Sequence, residues 1–121
     1  MDFASRAARN EEIVREVNRR IEAAAELHGV RSAMPFHCEC ARDRCLEKID
    51  LNAELYEPIL ANRYQFLLVP DHVAPSVERV VEAHETFVVV EKIGEARAQI
   101  DEDHPQQRHG TVETGERGRS S

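Results

Sequence analysis

The hydrophobic positions of this chain change period along its length, and each change marks a different kind of element. From about Ala4 to Leu27, the residues Ile13, Val17, Ile21 and Ala24 recur at i, i+4, i+8 and i+11. That is one stripe of a 3.6-residue period, and it predicts a long helix. Val14 and Ala25 widen the stripe, while Glu11, Arg15, Arg19 and Glu22 fall outside it. The stripe is expected to pack on the rest of the domain; a homodimer seam along the same face is the alternative. Glu11–Arg15 and Glu16–Arg20 are acid-first i, i+4 pairs, each worth roughly 0.2–0.5 kcal/mol on a helix. His28 and Gly29 supply the stop, because glycine takes the left-handed conformation that ends a last turn.

After the helix the period shortens. Phe36 to Cys40 reads as extended, and Cys45 to Leu51 alternates, with Cys45, Glu47, Ile49 and Leu51 on one face. Asn52 suits the N-cap of a short helix over Ala53 to Ala61, with Leu55, Ile59 and Tyr56 facing inward. Pro58 inside it limits that helix to about two turns. Tyr64 to Val69 is an apolar run closed by Pro70, a buried strand, and Pro70 to Pro75 is a loop. Glu78 to Ala83 and Thr86 to Lys92 read as two strands joined near His84-Glu85, although Val77, Val80, Val81 and His84 also fit a helical face. Apolar residues thin out from Ala98. Asp101 to Ser121 has almost nothing to bury and is expected to be disordered.

The elements therefore describe one α+β domain over residues 1–100: a helix at about 4–27 packed on a small, mostly antiparallel sheet within about 34–95. A chain of 121 residues leaves little room for a second domain. Its core is small enough for a metal clip to matter.

Charge narrows the partners. The formal net charge is −7, with no basic block, which disfavours phosphate-driven nucleic-acid binding and points to a protein partner. No segment approaches the ~20 apolar residues of a membrane span. The amino terminus has arginines but no apolar run after them, so it does not read as a secretory signal. A cytoplasmic location is the expectation. The cysteine count agrees: three is odd, and all three lie between Cys38 and Cys45, unlike a secreted disulfide scaffold.

Those cysteines carry the only chemistry the sequence advertises. In Phe36-His37-Cys38-Glu39-Cys40-Ala41-Arg42-Asp43-Arg44-Cys45 they form a C-x-C-x4-C arrangement. Thiolates are soft ligands, and a closed zinc site needs four N or S donors. With Glu39 extended, Cys38 and Cys40 share a face, and the four following residues let Cys45 turn back to them. His72, held between Pro70 and Pro75, is the best fourth ligand. His37 and Glu39 neighbour ligands and point the opposite way, and His84 is more distant. Plain reduced thiols are the bland alternative. An iron–sulfur cluster lacks its fourth cysteine, and a Cys38–Cys40 disulfide would strain its ring.

The chain resembles a group of short, uncharacterised actinobacterial proteins that share a Phe-x-Cys-Glu-Cys-x4-Cys core. The resemblance is carried by Arg9-Asn10-Glu11, Arg15-Glu16-Val17-Asn18, Phe36-x-Cys38-Glu39-Cys40 with Cys45, Tyr56, Phe66 and Val69-Pro70-x-His72. It continues through Val77-Glu78-Arg79-Val80-Val81-Glu82 and Val88-Val89-Val90-Glu91-Lys92. It implies a common fold and strengthens His72 as a ligand, but it implies no activity. Asp71 stands where a glycine is usual, and His37 where an apolar residue is usual.

No H-E-x-x-H, Gly-rich phosphate loop or G-x-S-x-G is present, so no catalytic residue is assigned and the reading leans away from an enzyme. The expected function is a zinc-binding protein-interaction or regulatory module, with structural metal at Cys38, Cys40, Cys45 and His72. Two alternatives stay open: a thiol redox sensor on the same cysteines, and a zinc enzyme with an open metal position.

Overall fold

The structure is a computed structural model that describes residues 3–40, 42 and 45–103, with side chains from Asn10 to Glu102 of that set. Helix α1 spans Phe3–Leu27. Its end follows from Gly29, whose φ is +66°. The Val30 amide donates to Ala25 O at 2.9 Å and the Gly29 amide to Glu26 O at 3.2 Å, the paired bonds of a Schellman stop.

Strand β1 (Ala33–His37) then pairs antiparallel with β2 (Lys48–Asn52), with Phe36 opposite Ile49. Helix α2 (Ala53–Ala61) starts at the expected Asn52, although the Asn52 side chain makes no capping hydrogen bond. Strand β3 (Gln65–Leu68) leads into a single 3-10 turn at Pro70–His72. The outer strand β4 (Glu78–Ala83) and central strand β5 (Val88–Lys92) complete a three-stranded antiparallel sheet of order β3-β5-β4. A register shift between Val80 and Glu82 bulges β4. Helix α3 (Gly94–Asp103) closes the described chain.

The α+β architecture with a long first helix and small antiparallel sheets is as the hydrophobic pattern predicts. The core joins both sheets: Phe36, Ile49 and Leu51 from the first meet Phe66, Leu67, Leu68 and Val88 to Val90 from the second, with Tyr56 and Ile59 of α2. Phe36 and Tyr56 stack at 4.7 Å. Three expectations are corrected here. The amino-terminal part of the apolar stripe of α1 does not face the core: Ile13 is 58% exposed and Val17 41%, while Ile21 and Ala25 further along do pack on it. That part of the helix instead buries Glu11, Arg15 and Asn18, because the body offers this face charges and open backbone groups rather than an apolar wall. Leu55 on α2 is 57% exposed, since Ala53, Tyr56 and Ile59 already fill the inward face of so short a helix.

The third correction concerns the tail. Asp101–Asp103 form the last turn of α3. Asp101 accepts from Arg63 at 2.8 Å and from the Tyr64 hydroxyl at 2.6 Å, so polar contacts carry order past the point where apolar residues stop. Residues 104–121 lie outside the described set. Among the described residues, no helix is long and apolar enough to cross a membrane.

Candidate metal centre

The cysteine segment leaves β1 and runs between the two sheets. The Cys38 amide donates to Glu47 O at 3.0 Å on one side, and the Glu39 amide to Leu67 O at 2.7 Å on the other. Extended backbone alternates its side chains, so Cys38 and Cys40 project to one face and Glu39 to the opposite one. The 3-10 turn after β3 carries His72 to the cysteine face.

There the donor atoms of Cys38, Cys40, Cys45 and His72 all lie within 4.8 Å of one another. His72 Nδ1 is 3.5 Å from Cys38 Sγ and 3.6 Å from Cys45 Sγ. A tetrahedral zinc with bonds of roughly 2.3 Å to sulfur and roughly 2.0 Å to nitrogen requires S···N edges of about 3.5 Å. The Cys3His group is compatible with metal binding. His37, Glu39 and His84 are not in it. His84 sits after β4, stacked on Phe87 at 4.3 Å and paired with Glu82 at 2.8 Å.

Backbone amides orient the sulfurs. The Val69 amide reaches Cys38 Sγ at 3.3 Å, and those of Arg42 and Glu47 serve Cys40 and Cys45. The acidities differ accordingly. Cys38 donates its S–H to Cys40, which with the Arg42 amide holds the Cys40 thiol down at about 5 against the effect of burial. That same hydrogen bond, with burial, pushes the Cys38 thiol up. Burial also raises Cys45. A cation that replaces these shared protons would meet sulfur donors already turned toward one point.

Behind the cysteines lies a polar seam that the hydrophobic pattern did not reveal. Glu39 is fully buried. It accepts from Asn18 at 2.9 Å, from the Leu67 amide at 2.9 Å and from the Tyr56 hydroxyl. Arg15 faces it at 3.6 Å. Burial raises the Glu39 carboxyl, opposed by Arg15, Tyr56, Asn18 and Leu67; burial and the Glu39 charge raise Tyr56. Arg15 also donates to the carbonyls of Ile59, Leu60 and Asn62 at 3.0, 3.1 and 2.9 Å, and to that of Gln65. It thereby satisfies the open end of α2. Lys92 makes a second buried knot, 2.5 Å from Glu11 and 2.6 Å from Glu78. The sequence carried one clue to this seam: the residue between two ligands of a C-x-C must point inward, and here that residue is a carboxylate needing partners.

A groove of about 390 Å³ opens beside the site, lined by Asn10, Ile13 and Val14 of α1 and by Cys38, Cys40, Arg42 and Cys45. Comparison with protein-family models, curated proteins and solved structures finds no match to this chain.

Proposed function

We propose that Cys38, Cys40, Cys45 and His72 hold one zinc ion with a structural role, in a small protein-interaction or regulatory module. The observation that carries the reading is the mutual spacing of the four donors, within 4.8 Å of one another, with S···N edges of tetrahedral length. Zinc is favoured over iron or copper because three thiolates and one imidazole make a closed tetrahedral set with no redox demand. Bound there, the metal would tie β1, the loop before β2 and the turn after β3 into one unit. Four protein ligands leave no open position for catalysis.

Three free cysteines fit a reducing, cytoplasmic setting. The net charge of −7 and the outward Ile13 and Val17 favour a protein partner, including a second copy through α1. We place the chain with the actinobacterial group it resembles on the same residues. Metal analysis of the untagged protein, purified under reducing conditions without added metal, tests the reading. Near one equivalent of zinc supports it. An intact fold with no metal and three titrating thiols sinks it.

A second reading is favoured by the groove that reaches the sulfurs. A peroxide taking two electrons from a pair of these thiolates would leave a disulfide and water and free the metal, making the centre a redox sensor. Zinc release in step with peroxide consumption would support it.

A further inference from the structure

Helix α1 docks through two dissimilar halves. Its carboxy-terminal half sets Ile21 and Ala25 against the core. Its amino-terminal half buries no apolar side chain fully among the described residues; what it buries is Glu11, Arg15 and Asn18. The two kinds of docking respond differently to displacement. Apolar contact tolerates sliding, whereas hydrogen bonds to buried charges are directional and leave desolvated groups behind when one partner moves.

Glu11 docks on Lys92 of β5 and Arg15 partly on the carbonyls at the end of α2, but Asn18 and one contact of Arg15 fall on the segment that carries two of the four candidate donors. Asn18 binds both backbone polar groups of His37 and the carboxylate of Glu39. Arg15 faces that same carboxylate, and Glu39 sits between Cys38 and Cys40. We propose that docking of the amino-terminal half of α1 and metal occupancy of the Cys3His centre are one coupled equilibrium. Metal loss releases this half-helix, and whatever lifts the half-helix weakens the metal. This rests on the metal-binding reading given above.

The coupling has a simple physical origin. A metal pins Cys38 and Cys40 on one face of an extended segment, and backbone alternation then aims Glu39 inward. Without that constraint the segment regains backbone and rotamer freedom. Any drift of Glu39 costs Arg15, Asn18 and Tyr56 a shared partner at once. Linkage makes the effect reciprocal: the factor by which metal strengthens docking is the factor by which docking strengthens metal binding. The groove gives the device a consequence. Asn10, Ile13 and Val14 form its α1 wall, and the three cysteines with Arg42 the other, so withdrawal of the half-helix widens access to the sulfurs.

Hydrogen exchange of the full chain, zinc-loaded and after chelation, reads this directly. Chelation should speed exchange over residues 11–18 by about tenfold or more, with β3, β5 and residues 21–27 still protected. No change at 11–18, or equal opening of β3 and β5, overturns the proposal. Competition with a chromophoric chelator provides the reciprocal test. Asn18→Ala should lower zinc affinity about tenfold, within the usual range of such couplings, although Asn18 is no ligand; Val17→Ala, exposed on the same helix and outside the groove, should leave it unchanged. One equivalent of zinc held by Asn18→Ala at the parent affinity overturns the coupling alone. Failure of the parent protein to bind zinc overturns the metal reading and the coupling with it.

Discussion

The side-chain amide of Asn18 pairs with the backbone of His37 as a neighbouring strand would. Asn18 Oδ1 accepts from the His37 amide at 2.8 Å, and Asn18 Nδ2 donates to His37 O at 2.9 Å. Among the described residues strand β1 has only β2 as a strand partner, so its other edge would expose these groups. One polar side chain from α1 covers that edge, and its second N–H goes on to Glu39. The helix is thus fitted to the cysteine-bearing segment by hydrogen bonds.

His72 supplies the only nitrogen of the donor set. His72→Ala should lower zinc affinity by at least about a hundredfold, while His37→Ala should leave it unchanged. Cys45→Ser should lower metal content and melting temperature together, because binding energy at a structural site is folding energy. Calorimetry with metal analysis of the same samples checks this, and full stability of metal-free Cys45→Ser would refute a structural metal.

The inverted face of α1 makes an unusual contrast between neighbours. Arg15→Ala leaves Glu39 without its cation and strips several carbonyls of a donor, and should cost about 3–5 kcal/mol. Ile13→Ala, at a site 58% exposed, should stay within about 0.5 kcal/mol. Urea unfolding of both variants decides it. The reverse order would mean that the apolar stripe, not the polar one, faces the body.

Glu11 sets a pH dependence of definite sign. Burial lifts its carboxyl from 4.5 to about 7, although the Lys92 charge works against the shift. A raised folded value means that the folded state holds the proton more tightly. Its contribution is therefore complete below about pH 4.5 and is lost as pH rises through about 7, at up to about 1.4 kcal/mol per pH unit. Glu11→Gln keeps an acceptor for Lys92 and cannot ionise. Its stability relative to the parent should rise between about pH 5 and pH 8 at saturating zinc, and a constant difference would contradict the assignment.

Asp101 anchors α3 to the turn before β3 through Arg63 and Tyr64. Asp101→Ala should lower stability by about 1–2 kcal/mol and speed amide exchange in α3. An unchanged melting temperature and unchanged exchange would place the ordered boundary at Ile100, where the apolar pattern alone would put it.

Periodicity and local chemistry by themselves determined a good deal. The 3.6-residue pattern and Gly29 delimit α1. Pro70 closes the β3 run, and alternation puts Ile49 and Leu51 on the inner face of β2, although β1 spans Ala33–His37 rather than the expected Phe36–Cys40. The C-x-C-x4-C spacing with a proline-flanked histidine singles out the four residues that the fold gathers. Each is a short-range property, set by backbone geometry within a few residues. Which face of α1 turns inward is not such a property. Ile13 and Val17 look like a core stripe in isolation, but the surface that receives the helix is made by Glu39, Lys92, Glu78 and the carbonyls at the end of α2, far away in sequence. Paired against those groups, Glu11, Arg15 and Asn18 exchange hydration for directed hydrogen bonds, and Ile13 and Val17 are left outside. Only tertiary structure could decide this, because a buried polar residue is stable only through partners that the fold brings to it.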